Sequence, residues 1–345
     1  KSSLNDLSLP LLAAAEINNQ LLDENPFFDR IATGNNDSYT QLVIEKSPTL
    51  VLCWLGMNDY LRYAMQGASG GADLTTPEEF RSAFSFFIDA LINSSDSKIV
   101  VGNLIPITDL PFFYLKHYNF LRLDNPAKAA AQNRYAAHNV GKPAGEKRPF
   151  ISFEDNGATL YPQPLVVEDN SLPDAFYPDG SPLEKYRQLK EGEMALLSIT
   201  EQMVSNGYGS IRPLPQQYFL TSDQIESISS HVVAFNQIIN QAANENANRV
   251  IVADVKAGIA EIVKSSKIDA WGIPESDSLH YSAGVPVEAG LGQNSIFSLD
   301  AIHFNQRGNA FVANIFIEAI NQHFYATIPE TDINEFTGNV PVFLY

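Results

Sequence analysis

The sequence has little cysteine, few basic residues and no long hydrophobic run. Its only cysteine, Cys53, excludes an intramolecular disulfide framework and, among apolar neighbours, is interpreted as a small core residue. Lys and Arg together number 22 against 40 Asp and Glu, so a formal charge of −18 repels phosphate backbones, and no nucleic-acid partner is expected. No segment approaches the roughly 18 consecutive apolar residues that a membrane-spanning helix needs.

Length and apolar content bound the fold without deciding the number of domains. Hydrophobic residues make up 45% of the 345 residues, which supplies a sizeable core and excludes global disorder. A typical domain size of ~150 residues would give two domains, whereas a large α/β unit would give one. The chain opens at Lys1 without a signal-peptide hydrophobic region, and it is interpreted as a fragment or a processed product.

Three short apolar runs predict buried parallel strands. They cover residues 49–55, 98–101 and 250–253, and each ends in turn-forming or acidic residues. Continuous apolar runs of this kind are typical of strands that are buried on both faces of a parallel sheet.

Amphipathic helices are predicted between and after these strands. One begins at Pro77 with Thr75 or Thr76 as its cap, a second begins at Ser222, and a third follows Gly308. Strands that alternate with helices predict a doubly wound α/β sheet. From about residue 110 to 215 the pattern weakens, apart from a short Ala-rich helix near 127–137, so this region is either a substrate-shaping insertion or a small subdomain.

The first candidate site follows the strand at 49–55 and reads Gly56-Met57-Asn58-Asp59. Ligand sites of open α/β sheets lie beyond the carboxyl ends of the strands. Gly56 permits a tight turn, and the side-chain NH2 of Asn58 can donate to a developing oxyanion. Because Asn and Asp also favour turns and helix caps, a simple strand-to-helix turn is the competing interpretation.

The second candidate site is Asp300-Ala301-Ile302-His303, before the last helix. An Asp in this position can accept the Nδ1 proton of His303 and leave Nε2 as a general base. The pattern is weak, since Asp277 and His280 repeat it in a loop rich in Ser, Gly and Pro, and the helical context favours His303. The remaining histidines lack a nearby carboxylate or metal-ligand spacing in the sequence and are interpreted as surface or packing residues: His117, His138, His231 and His323. No metal site and no cofactor are predicted.

The two clusters together resemble the SGNH/GDSL-type hydrolases. The chain looks most like a large branch from Bacteroidetes-type bacteria, and this likeness covers nearly its whole length. The segments that carry it are Asn25-Pro26-Phe27-Phe28, Trp54-Leu55-Gly56-Met57-Asn58-Asp59-Tyr60, Asn103-Leu104-Ile105-Pro106, Pro111-Phe112-Phe113 and Phe297-Ser298-Leu299-Asp300. The resemblance implies a three-layer α/β/α flavodoxin-like fold with a mainly parallel sheet, and ester hydrolysis through an acyl-enzyme.

The resemblance also implies roles for individual residues. Asn58 corresponds to the side-chain oxyanion donor, His303 to the base and Asp300 to its orienting carboxylate. Gly56 belongs to the same oxyanion region. Ser8, within a block at residues 5–10, stands where the family has a glycine that contributes a backbone N–H, and Asp59 is expected to be structural.

The nucleophile is where the sequence departs from the family. The family's Ser lies in a Gly-Asp-Ser block at the end of the first strand, and no Gly-Asp-Ser occurs here. The first strand, its Ser and the export signal are therefore expected upstream of Lys1, either absent from this chain or removed by processing. Loss of the block in a non-catalytic member is the third explanation. Ser2 and Ser3 have no surrounding nucleophile turn.

The sequence thus predicts one enlarged α/β domain with a serine esterase or lipase activity. The expected substrate is a small-molecule, lipid or glycan ester. The expected location is the exported side of a bacterial cell, at the envelope, on the outer membrane surface or outside the cell, with possible membrane or surface-complex association. The alternatives are a non-catalytic component of a surface assembly and a carbohydrate deacetylase. The aromatic residues Phe112, Phe113, Tyr114, Tyr118 and Phe120 line an acyl pocket or pack in the core.

Overall fold

The computed structural model describes residues 6–19, 25, 27–28, 31, 38–140, 150–153, 160–269, 273, 275 and 279–340. The α-helices of this part of the chain are α1 (Tyr39–Glu45), α2 (Asn58–Met65), α3 (Pro77–Ser94), α4 (Pro111–Tyr114), α5 (Asn125–Val140), α6 (Glu201–Ser205), α7 (Ser222–Glu245), α8 (Val255–Lys264) and α9 (Gln306–Phe324). The strands are β1 (Leu50–Cys53), β2 (Lys98–Gly102), β3 (Leu121–Arg122), β4 (Pro162–Gln163), β5 (Val166–Glu168), β6 (Tyr186–Gln188), β7 (Met194–Ala195), β8 (Phe219–Leu220), β9 (Val250–Ala253), β10 (His280–Ser282) and β11 (Val285–Val287). Short 3₁₀ helices lie at Ala14–Glu16, Ile107–Asp109, Gln216–Tyr218 and Ile333–Glu335.

The three predicted strands form one parallel sheet in the order β1-β2-β9. β2 lies in the middle, and its residues from Ile99 onward are buried on both faces. Cys53 at the end of β1 is 4% exposed, and burial raises the pKa of its thiol to about 12, as expected of a core residue. The prediction of a mixed α/β protein with parallel strands is confirmed.

The last helix covers one face of this sheet. Side chains alternate between faces along a strand, and Gly102 of β2 lies so close to Phe316 of α9 that a Cβ there would be 2.9 Å from the ring. Lys98, on the same face, lies over the Phe324 ring of α9. The helix α7 packs on β9. Its Phe235 stacks on Phe80 of α3, with ring centroids 4.3 Å apart. The helices predicted from Pro77 and Ser222 are therefore present, with Thr76 and Thr221 as their caps.

The region 110–215 is more ordered than its sequence pattern predicts. It contains the short antiparallel pairs β3-β4 and β5-β6, the strand β7, which pairs with β8 just beyond the region, and most residues of two further hydrophobic clusters. Its buried Arg187 pairs with Asp169 at 2.5 Å and with Glu193 at 2.7 Å. Strands of two or three residues carry too little periodicity to be recognised from sequence. Among the described residues, no helix is long and apolar enough to cross a membrane.

The first strand departs from the expectation of burial on both faces. Leu50 is 37% exposed and Leu52 is 58% exposed, although both belong to a continuous apolar run. The physical reason is position, because within the described residues β1 pairs only with β2 and its other edge has no neighbouring strand.

Candidate functional site

The turn after β1 requires a glycine. Gly56 has a φ of 118°, and a Cβ at this position would lie 2.8 Å from the Phe80 ring and 2.9 Å from Leu104. The turn leads directly into α2, whose first residue is Asn58. The Nδ2 of Asn58 donates to the carbonyl oxygen of Leu12 at 3.0 Å. An amide NH2 group carries two hydrogens, so this bond fixes the side chain and leaves a second hydrogen to donate.

The neighbouring Asp59 has a structural role, as predicted. Its carboxylate is 1% exposed and accepts the backbone N–H groups of Ala14 at 2.6 Å and Ala15 at 3.1 Å. Burial raises the pKa of this carboxyl to about 6, against the opposing effect of those N–H bonds and of Thr75. The Asp59 carboxylate and the ion pair between Arg62 and Glu16, at 2.7 Å, together hold residues 12–16 against α2. The carbonyl that Asn58 contacts is thereby held in place.

The loop at 298–303 is organised around the Asp300 carboxylate. Its Oδ1 accepts from the Ser298 hydroxyl at 2.6 Å and from the backbone N–H groups of Ile302 and His303 at 3.0 and 2.9 Å. Partial burial raises the pKa of Asp300, but the hydrogen bonds from Ser298 and His303 outweigh it and hold the pKa at about 2. Asp300 is therefore ionised at any ordinary pH.

His303 has the geometry of an oriented base. Its Nδ1 lies 2.6 Å from Oδ2 of Asp300, and an ionised carboxylate only accepts, so Nδ1 carries the proton and Nε2 carries the lone pair. The side chain is 79% exposed, so Nε2 is accessible from solvent. The hydrogen bond expected between Asp300 and His303 is present. Their catalytic roles stay a prediction.

Backbone contacts hold this loop on the protein. Ser298 N–H donates to the His303 carbonyl at 2.7 Å and closes the loop, and Ala301 takes a φ of 63° inside it. Phe112 N–H donates to the Ala301 carbonyl at 3.1 Å, which ties the loop to α4. Asn305 caps α9 through Gly308 N–H at 3.0 Å. The chain entering α9 therefore fixes where His303 points.

An aromatic contact joins the two candidate clusters. Trp54, just after β1, stacks on Phe304, the residue after His303, with ring centroids 5.8 Å apart. Trp54 also donates its Nε1–H to the Asn103 carbonyl at 3.0 Å, beyond the end of β2. The resemblance included Trp54 only as part of a block, and its position as the link between the clusters was not predicted. Such a contact between residues 250 positions apart has no signal in one sequence.

Three of the predicted site residues line one groove. Ser8, Gly56 and Asn58 border a cavity of about 990 Å³ that runs along the outer edge of β1. Asp300 and His303 are not among its lining residues and are connected to it through the stacked Trp54 and Phe304.

Ser8 has a contact that its expected role does not include. Its backbone N–H donates to Oδ1 of Asp6 at 2.8 Å. An N–H held by a carboxylate must leave that partner before it can bind an oxyanion. The Asn5 of the same block, together with Ser2 and Ser3, lies outside the described residues.

The competing histidine and His138 are placed differently from His303. His280 lies in the hairpin strand β10, and the Asp277 that would pair with it is outside the described residues. In the fold, His138 has a carboxylate near it that is distant in the sequence: its Nδ1 lies 3.7 Å from Glu184, 46 residues away. It is 2% exposed and stacks on Tyr186, so its interpretation as a packing residue holds. The described residues contain no group of three or more His, Cys, Asp or Glu that could hold a metal ion.

The aromatic residues considered for an acyl pocket or for core packing pack against the hydrophobic clusters, two of them buried and three partly buried. Phe112 and Phe113 are buried in the main core, and Tyr118 and Phe120 pack against a second cluster. Tyr114 donates its hydroxyl hydrogen to the Ala289 carbonyl.

Comparison of the chain with protein-family models, with curated proteins and with solved structures found no match in any of the three.

Proposed function

We propose that the chain is a serine ester hydrolase of SGNH type. The observation that carries the proposal is the Asp300–His303 pair, with Nδ1 and Oδ2 2.6 Å apart, which the Trp54–Phe304 contact links to the glycine turn before Asn58. Trp54 lies at the carboxyl end of the parallel sheet and stacks on Phe304. This contact supports the convergence of the two clusters on one site. The three-layer flavodoxin-like fold is part of this proposal.

Each residue has a defined step in the proposed reaction. A serine hydroxyl attacks the ester carbonyl carbon and forms a C–O bond while its proton passes to Nε2 of His303. Asp300 stabilises the imidazolium, and the Asn58 amide donates to the oxyanion. The C–O bond to the alcohol then breaks, and His303 returns the proton to the alcohol. Water then attacks the acyl-enzyme with His303 as base, the bond to the serine oxygen breaks, and His303 returns the proton to the serine as the acid leaves.

The nucleophilic serine is proposed to lie in a segment that precedes Lys1. Among the described residues, the His303 ring hydrogen-bonds to Asp300 and to no hydroxyl. A hydroxyl within hydrogen-bond reach of the base is what acyl transfer requires. The proposed protein is exported and acts at the cell envelope or outside the cell, on a lipid or glycan ester.

Hydrolysis of a chromogenic ester by protein from its natural source tests the proposal. We expect His303→Ala to lower kcat/KM by about 1,000-fold or more, since it removes the base. His280→Ala is the matched control and should leave kcat/KM unchanged. Equal rates for both variants would contradict the assignment of His303. Comparison of acetylated sugars with long-chain esters separates a deacetylase from a lipase.

A non-catalytic component of a surface assembly is the second candidate. The observation that favours it is the Ser8 N–H, which donates to Asp6 instead of being directed at an oxyanion. Protein from the natural source that hydrolyses no ester, yet is recovered in a stable cell-surface complex, would favour this candidate.

A further inference from the structure

The segment that follows α9 returns to the stretch of chain ahead of the His303 loop (residues 298–303). Its Ile333 is fully buried in the main core, and its Phe336 packs against the same core. Arg307 of α9 donates from Nε to the Phe336 carbonyl at 3.1 Å and from Nη1 to the Gln293 carbonyl at 3.3 Å. Arg307 therefore joins the segment at 333–340 to the residues that lead into the loop.

Asn339 in this segment binds two carbonyl groups ahead of the loop. Its Nδ2 donates to the Phe297 carbonyl at 2.9 Å and to the Leu291 carbonyl at 3.2 Å, which uses both amide hydrogens. The Phe297 carbonyl also accepts from Nδ2 of Asn305 at 3.0 Å. Two asparagine amides thus converge on the carbonyl of Phe297.

Phe297 forms one end of the base of the His303 loop. It pairs with Phe304 in an antiparallel bridge, and the two rings stack with their centroids 4.8 Å apart. Just inside this pair, the Ser298 N–H donates to the His303 carbonyl at 2.7 Å. Phe297 and Phe304 therefore close the loop, and a contact that holds Phe297 also holds the base of the loop.

The hydrogen bonds within the loop fix the Asp300–His303 pair but not its place on the protein. The described partners of the Asp300 carboxylate all belong to the loop. The distance from His303 to the Asn58 amide depends instead on how the loop is held against the rest of the protein. Stacking of Trp54 on Phe304 holds one end of the base. A displacement of about 1 Å at a reacting group is enough to slow a reaction strongly.

We propose that Asn339 is a positioning residue for His303. By holding the Phe297 end of the base of the loop, it fixes where the His303 ring lies relative to the Asn58 turn. Its described hydrogen bonds reach none of the residues assigned to the reaction, so it acts through Phe297. This role rests on the proposed function, because it concerns the placement of the base for ester hydrolysis.

Amide hydrogen exchange of the 345-residue chain tests whether Asn339 holds the loop. Asn339→Ala removes both donors, and we expect the Ser298 N–H to exchange about 10-fold faster. Asn339→Asp keeps the size of the side chain but sets a carboxylate against two carbonyl oxygens, so the increase should be at least as large. The Ile99 N–H, which joins β2 to the Arg249 carbonyl at 2.7 Å, should exchange equally in all these proteins.

Two further variants complete the comparison. Gly338→Ala places a Cβ 2.1 Å from the Gln293 carbonyl oxygen, so it displaces the same segment through a different contact and should also accelerate exchange at Ser298. Asn334→Ala is the matched control, because the Asn334 Nδ2 donates to Asp332 inside the segment at 2.8 Å. It should leave exchange at Ser298 unchanged.

Two exchange results would overturn the proposal. One is an unchanged rate at Ser298 in both Asn339→Ala and Asn339→Asp. The other is an increase that is as large at Ile99 as at Ser298, because it would show general destabilisation of the fold instead of release of the loop.

The catalytic consequence is measured by ester hydrolysis with protein from the natural source. We expect Asn339→Ala to lower kcat about 10-fold and to leave KM within about twofold of the wild-type value, because the base is displaced while the substrate contacts are kept. Asn334→Ala should match the wild type in both constants. Faster exchange at Ser298 with an unchanged kcat would overturn the positioning role. Faster exchange in a protein that hydrolyses no ester would support the hold of Asn339 on the loop and count against the hydrolase, so the two failures are distinguishable.

Discussion

Asp300 determines the direction of the His303 ring. It accepts four hydrogen bonds, from Ser298, Ile302 and the backbone and ring of His303, at 2.6 to 3.0 Å. Its pKa of about 2 lies below the ordinary value, so its contribution to stability is present above about pH 4 and is lost as the pH falls toward 2. Since the side chain is half exposed, this contribution is at most about 1 kcal/mol. Its main importance is orientation of the His303 ring.

We expect Asp300→Asn to lower kcat for ester hydrolysis by about 100- to 10,000-fold, because the imidazolium loses its negative partner. Steady-state kinetics on protein from the natural source measures this change. Asp332→Asn, which replaces an exposed carboxylate that caps the 3₁₀ helix at Ile333–Glu335, is the matched control and should keep full activity. A D300N variant with normal kcat would show that Asp300 does not orient the base.

Gly56 is expected to tolerate no side chain. We predict that Gly56→Ala lowers the free energy of unfolding by roughly 2–4 kcal/mol, through contact with Phe80 and Leu104 and through the positive φ. Urea denaturation measures the loss. Gly71→Ala, at a glycine with nothing within 4 Å of the added Cβ, should change stability little. Equal stability of the two variants would contradict this description of the turn.

At the scale of elements, the connection of the 3₁₀ helix at Ala14–Glu16 to α2 depends on pH through Asp59. Its pKa is raised to about 6 in the folded protein, so the folded state binds more protons than the unfolded state between about pH 4 and 6. We predict that the stability of the wild-type protein relative to Asp59→Asn decreases by about 3 kcal/mol as the pH rises from about 4 to 7. Denaturation of both proteins across this range measures the difference. A difference that is constant with pH would contradict it.

The 110–215 region contains a buried ion-pair cluster that should contribute strongly to its folding. Arg187 contacts Asp169 and Glu193, and all three residues are less than 10% exposed. We expect Arg187→Met to destabilise the protein by about 3–5 kcal/mol, because two carboxylates lose their buried partner. Arg81→Met, which removes one exposed hydrogen bond to Gln241, is the control in the same urea titration and should change stability little. A small change in the free energy of unfolding for both variants would contradict the expected contribution of the Arg187 ion pairs.

The sequence predicted those elements whose signal is local. The strands β2 and β9 and the helices that begin at Pro77 and Ser222 have strong apolar periodicity and caps, and they were correctly identified. The short pairs between residues 121 and 220 and the ion pairs of Arg187 depend on contacts between distant segments, which one sequence does not encode visibly. The exposure of Leu50 and Leu52 was missed for the same reason, because strand order is a property of the whole sheet.

At the scale of the molecule, the two candidate clusters lie at opposite ends of the sequence. One core cluster includes residues from Leu12 to Ile333, and Trp54 and Phe304 link the Asn58 turn to the His303 loop. The Asp300–His303 hydrogen bond was predictable, since the two residues lie three positions apart on one loop. The aromatic link and the groove were not predictable, because they arise from packing.

The net charge of −18 disfavours a polyanion as the substrate of the proposed hydrolase. Covalent labelling shows whether His303 activates a serine, as the proposed function requires. Protein from the natural source is incubated with a fluorophosphonate, digested, and the adduct is located by mass spectrometry. We predict an adduct on one serine, and loss of that adduct in His303→Ala. Absence of any adduct where a control esterase reacts, or an adduct that persists in His303→Ala, would contradict the account.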